Sequence, residues 1–135
     1  MTQEEKELLL KDLCARLPYG VKCAVFDKTL LFGGFDGKYP FEMDGITIEE
    51  DETIAWLEKA NFNIETVKPY LRPMSSMTHD EDVEYKDIME SGHYDSPSQE
   101  YANIIDWLNE HHFDFRNLIG KGLALEAPEG MYKTE

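Results

Sequence analysis

Four histidines, two cysteines and a dense set of carboxylates are the side chains of this sequence able to bind a metal or attack an electrophile. A transition-metal site wants two ligands at i, i+4 or a fixed Cys/His spacing. Of His79, His93, His111 and His112 only the last two are close, and adjacent positions on a helix diverge. Their place near a predicted helix C-terminus suits partly charged imidazoles facing the end carbonyls instead. Cys14 and Cys23 have neither metal nor redox spacing and read as reduced, buried thiols. Asp80, Glu81, Asp82 and Glu84 lack the spacing and the glycine of a calcium loop, and on a helix they point around it. Asp27 follows the apolar run Val21 to Phe26, a placement from which a carboxylate can attack phosphate. There is no G-x-x-x-x-G-K-[ST], G-x-S-x-G or H-E-x-x-H, and Gly33-Gly34-x-x-Gly37 is too sparse for a phosphate loop. No catalytic residue, metal or cofactor is expected, and the reading favours a non-enzyme.

The elements that would carry these residues fall into three parts. Thr2 and Glu5 form a T-x-x-E capping box, Leu9, Leu13 and Leu17 recur at helical spacing, and Pro18 and Gly20 stop the run. A helix over 3–16 is predicted, within a segment 1–19. Residues 20–67 read mainly as strands: Val21 to Phe26 and Thr29 to Phe32, with Asp27-Lys28 as a hairpin turn, then Ile46 to Ile48. Residues 50–60 fit helix or strand equally. Pro69 and Pro73 disfavour helix, so 68–77 is expected as an extended connector, with Tyr70, Leu71 and Met74 packing and Arg72 pairing a carboxylate. Residues 78–125 read as helical. Thr78 and Glu81 open an acidic helix to about Glu90 with a weak apolar face of Val83, Tyr85, Ile88 and Met89. After a loop from Ser91 to Ser98, the Ser96 cap, Pro97 and Gln99 start a helix of about 97–111 with the stripe Tyr101, Ile104, Ile105 and Leu108. A further helical turn is expected from Asp114 to Gly120, and 126–135 is an extended tail.

Size and charge bound the function. The 135 residues suit one domain, in which about two-thirds of the unfolded surface is buried. Twenty-eight acids against 13 bases give a formal charge of −15, which repels phosphate backbones. Lys86 is the one base between Arg72 and Arg116, in a stretch crowded with acids. The acids from Asp80 to Asp114 are expected on solvated helix faces, with Glu100, Asp106 and Glu110 outward. No apolar run reaches the ~20 residues of a membrane span, and the N-terminus does not read as a secretory signal. The expected setting is cytoplasmic.

Two resemblances bear on identity. Val25-Phe26-Asp27-Lys28-Thr29 resembles the nucleophile motif of the haloacid-dehalogenase and P-type ATPase families. It departs from both, since Leu30-Leu31 stand where the ATPase motif has Gly-Thr, and Thr29 replaces the second dehalogenase aspartate. A hairpin turn is the better reading. Three longer stretches resemble uncharacterised proteins of bacteriophages and mobile elements of gut Bacteroidales bacteria: Leu9 to Lys22 (LLKDLCARLPYGVK), Val67 to Thr78 (VKPYLRPMSSMT) and Asp106 to Tyr132 (DWLNEHHFDFRNLIGKGLALEAPEGMY). The resemblance implies a phage or mobile-element origin in a bacterial host cell, and no activity.

The expectation is an α+β domain: an N-terminal helix, a small antiparallel sheet able to curl into a barrel, then C-terminal helices. Functionally it is a non-enzymatic accessory factor with a protein partner, no direct nucleic-acid binding and no membrane. Lys68, Tyr70 and Arg72 form one candidate partner contact, and Asp80, Glu81, Asp82 and Glu84 another. The alternatives are an acidic nucleic-acid mimic that blocks a host DNA-binding or defence protein, and a small enzyme or ligand-binding protein.

Overall fold

The computed structural model describes residues 1–27, 35–36, 40–50, 52–90 and 97–132. The predicted strand Thr29 to Phe32, the glycines Gly33, Gly34 and Gly37, His93, and the loop with its Ser96 cap lie outside them.

Helix α1 (Gln3–Arg16) begins where the capping box places it. The Thr2 hydroxyl accepts from the Glu5 amide at 3.1 Å, and the Glu5 carboxylate accepts from the Thr2 amide at 2.9 Å. It ends in a 3-10 turn at Leu17–Tyr19, and Gly20 turns the chain at φ 71°. The positive φ favours glycine there, whereas a Cβ would meet only the movable Glu42 carboxylate. Leu9 and Leu13 are fully buried, but so are Asp12 and Arg16 on the same side of the helix. Cys14, one position round from Leu13, is exposed, whereas Cys23 is buried. The expectation of two buried thiols therefore holds for one of them.

The sheet comprises β1 (Lys22–Asp27), β2 (Phe35–Asp36), β3 (Phe41–Ile48), β4 (Thr53–Leu57), β5 (Ala60–Asn63), β6 (Val67–Leu71) and β7 (Leu125–Glu126). Its order is β5-β4-β3-β1-β6-β7, with β2 also paired to β1. All pairings are antiparallel except β6 with β7. The fold is α+β, and the sheet is open. Closure into a barrel would bring β5 and β7 together. Instead α1 fills that face, its Leu9 and Leu13 packing with Val21, Cys23, Val25, Leu57, Val67 and Leu71.

The ambiguous run around 50–60 is a hairpin. Glu58 and Lys59 form its tight turn at φ 48° and 72°, a conformation that favours Asn and Gly. Asp44, beside an irregularity in β3 between Met43 and Gly45, accepts from the Lys59 amide at 2.6 Å and holds the turn. Trp56 lies opposite Gly45, and its indole N–H donates to Thr47 Oγ1 at 2.9 Å.

The expected connector is itself a strand. β6 sits between β1 and β7, with Pro69 opposite Cys23, and it leads into a 3-10 turn at Met74–Ser76. The proline is tolerated because β7 meets β6 only at Tyr70 and Leu71.

Helices α2 (His79–Glu90) and α3 (Pro97–Glu110) form a second, smaller cluster around Trp107, Leu108 and Phe113. Tyr85 and Ile88 of α2 join it, while Val83 and Met89 face solvent at 54% and 44% exposure. That is the weak apolar face expected of this helix. Beyond α3 the predicted helical stretch to 125 does not continue. Residues 111–124 run as turns, and β7 follows. Among the described residues no helix is long and apolar enough to cross a membrane.

Candidate functional site

The polar side chains that matter lie where β6 ends and the turns after α3 return to the sheet. Arg72 continues β6 by one residue. Its amide donates to the His112 carbonyl and its own carbonyl accepts from the Asp114 amide, both at 2.8 Å. This fixes the backbone from which the guanidinium projects. Its two terminal nitrogens donate to both Glu81 oxygens at 2.7 and 2.6 Å, and it lies 4.3 Å from the Phe113 ring centre. Glu81 is only 5% exposed and also accepts from the Thr78 amide within the capping box of α2. Chiefly through Arg72, its carboxyl is held down to about 2. Glu81 therefore does not belong to a solvated acidic face. The capping role turns it toward the helix start, where the cation waits.

A second charged group joins the first and last thirds of the chain. Buried Asp12 accepts from Arg16 Nε at 2.9 Å and from Arg116 Nη1 at 2.6 Å. Arg16 also donates to the Phe113 carbonyl. Asp114 accepts from the Leu118 and Ile119 amides at 2.8 and 3.0 Å. The expected helical turn there is a capped turn without a helix.

His112 sits past the end of α3 at φ 60°, buried, with its ring stacked on Tyr132 at 3.8 Å. Burial, with the nearby Arg16 charge, pushes it down to about 4, so it is neutral at pH 7. The partly charged imidazole expected here is thus corrected, because the side chain leaves the helix end and enters the core. His111 keeps the expected place at the helix end, with its Nδ1 2.9 Å from the Trp107 carbonyl and its ring stacked on the Trp107 indole at 4.2 Å.

Tyr132 has a further role that no local signal announces. The register Cys23 to Pro69 would next pair Lys22 with Tyr70. The Tyr132 hydroxyl stands between them, accepting from the Lys22 amide and donating to the Tyr70 carbonyl, each at 2.8 Å. Burial raises this phenol well above its ordinary range. Residues 127–132 thereby form a strap over the end of β6, tied also by the Ala127 amide to the Leu71 carbonyl at 2.8 Å.

Between this strap and the turn after β6 lies a groove of 620 Å³, walled by Arg72, Pro73, Ser76 and Thr78 on one side and by Glu126 to Gly130 with Tyr132 on the other. It contains one of the sequence-predicted contact residues, Arg72. Tyr70 is buried and Lys68 lies half-buried 5.4 Å from the Phe26 ring centre. On α2, Asp80 is exposed, Asp82 pairs with Lys86 at 3.1 Å, and Glu84 accepts from the Trp107 indole at 3.0 Å. Neither the predicted strip nor the predicted acidic face is therefore a continuous exposed surface, since Tyr70 and Glu81 are buried. Asp106 and Glu110 are exposed. The side chains of Asp27, Glu100 and Tyr101 lie outside the described residues. Among the described residues no group of three His, Cys, Asp or Glu side chains converges as a metal site. No family model, curated protein or solved structure matches this chain.

Proposed function

We propose that this protein is a non-enzymatic, protein-interaction factor of a phage or mobile element, and that it engages its partner through the groove between the C-terminal strap and the end of β6. The observation that carries this reading is how the groove is built. Its walls are held by tertiary bonds, with Arg72 locked by Glu81 and Tyr132 locked between Lys22 and Tyr70. A preformed wall loses little conformational entropy when a ligand docks. Three buried carboxylates support the same reading, because each is spent on structure: Asp12 on two arginines, Asp114 on two amides, Glu81 on Arg72. The three stretches that resemble phage and mobile-element proteins supply the groove walls and all of these residues except Glu81.

Site-specific photo-crosslinking in a bacterial host cell tests the proposal. A photoreactive residue at Glu129, on the strap, should yield a discrete adduct with one protein. The same probe at Asn61, on the opposite edge of the sheet, should not. No adduct from position 129, or the same adducts from both positions, would overturn the reading.

A further inference from the structure

Resting on that reading, we propose that the occupant of the groove is an extended, basic segment of a partner protein, lying alongside β7 with its cationic side chains against Glu126 and Glu129. The argument starts from the sheet edge. β7 pairs with β6 in parallel, and the Ala127 amide bonds to the Leu71 carbonyl. In a parallel ladder the residue between two bonded positions turns its own N–H and C=O to the other side. Glu126 is that residue, and among the described residues no strand pairs with the far side of β7. An extended segment can therefore add to this outer edge through backbone hydrogen bonds, as in recognition by strand addition, and Glu126, which also lines the groove, is where edge and groove meet.

The charge of the walls selects the kind of segment. Arg72, Ser76 and Thr78 together look at first like a site for an anion. Against an anion stands Glu81, whose carboxylate holds both terminal nitrogens of Arg72 and cancels its charge. The Thr78 hydroxyl accepts from the Glu81 amide, and the Ser76 hydroxyl donates to the Pro73 carbonyl at 2.7 Å. The Arg72 terminal nitrogens and the Ser76 hydroxyl are thus engaged within the protein, and the Glu81 carboxylate offsets the Arg72 charge. Across the groove Glu126 and Glu129 are both exposed, and they leave the lining with an uncompensated negative charge. Ala127, Pro128 and Pro73 supply apolar surface along which the methylene stems of lysine or arginine can lie. An acidic segment would meet like charge, and a purely apolar one would leave two carboxylates partly desolvated without partners.

The test titrates isotope-labelled full-length protein with two capped hexapeptides, one of alternating lysine and valine and one of alternating glutamate and valine. Amide shifts are followed by NMR. The lysine peptide should perturb residues 72–78 and 126–132 and saturate. The double variant Glu126→Gln, Glu129→Gln should bind it roughly fivefold or more weakly, and added salt should weaken it further. Both substituted side chains are exposed, so the spectrum of the variant away from the groove should be unchanged, which shows that it folds. Lysine-peptide shifts confined to Asp80, Asp82 and Glu84, or affinity unaffected by the double variant, would overturn the basic occupant. Equal binding of the glutamate peptide in the groove would overturn it too, while leaving the groove as a docking site. If neither peptide perturbs residues 72–78 and 126–132, the docking reading falls with it.

Discussion

Glu81→Gln isolates one charge in the centre of the fold. The substitution keeps the length of the side chain and its ability to accept from Thr78, so the cap of α2 survives. What is lost is the negative charge facing Arg72. In the folded protein the carboxyl titrates at about 2 rather than 4.5. At about 1.4 kcal/mol per pKa unit, that difference is roughly 3 kcal/mol of stability at neutral pH. The side chains of Arg72 and Glu81 are only 15% and 7% exposed, so solvent screens the pair little. Because the folded value is depressed, the contribution is complete above the unfolded value of about 4.5 and is lost as pH falls toward 2. Urea denaturation of the two proteins side by side measures it. The variant should be less stable by roughly 2–3 kcal/mol at pH 7, and the gap should fall to less than half by about pH 3. A gap below about 1 kcal/mol at pH 7, or one that stays constant across that pH range, would refute the reasoning.

Three other perturbations have definite outcomes. His112 is neutral when folded, at about 4 against 6.5, so protonation of the unfolded chain should remove roughly 3 kcal/mol of stability as pH falls from 6.5 to 4. A Tm-against-pH curve should lose its slope in that window in His112→Asn, which tolerates the same positive φ. Asp12→Ala leaves the fully buried Arg16 without its carboxylate and should cost about 3–5 kcal/mol, read from chemical denaturation. The triple change Asp12→Leu, Arg16→Met, Arg116→Met removes both cations with the carboxylate and should recover part of that loss. Leu71→Ala should cost roughly 2–5 kcal/mol, since Leu71 is fully buried among the strands, and an unchanged melting midpoint would contradict its place in the core.

The parts of the fold legible in advance are those set by neighbours in sequence. Thr2 with Glu5, and Pro18 with Gly20, bracket α1 at the observed residues, and Thr78 with Glu81 mark the start of α2. Where local preference and tertiary context disagree, local preference misleads. Glu58 and Lys59 are good helix formers, yet they occupy a tight turn held by Asp44. Pro69 argues against a strand, yet β6 lies inside the sheet because its neighbour on one side begins only at Tyr70. Asp114 reads as the start of a helical turn, and it does bond two later amides, but the chain turns instead of coiling. The candidate site was legible only in Arg72. Its carboxylate partner was expected in kind, but the choice of Glu81 depends on how α2 meets the end of β6. The groove joins 72–78 to 126–132, and no spacing rule connects segments so far apart.

The ties that complete the interior have an implication for how the molecule is made. The bond from Arg16 to Phe113 spans 97 positions, that from Arg116 to Asp12 spans 104, and that from Lys22 to Tyr132 spans 110. A chain emerging from the ribosome can form α1 early, but it presents Asp12 and Arg16 to a face whose remaining partners have not been synthesised. Burying that face against the strands before Phe113 and Arg116 arrive would bury the Asp12–Arg16 pair without its remaining hydrogen-bond partners. The pair is fully satisfied only when the segment with Phe113 and Arg116 has joined it. Folding is then governed by late, long-range closure, which slows it relative to chains of similar size with local contacts.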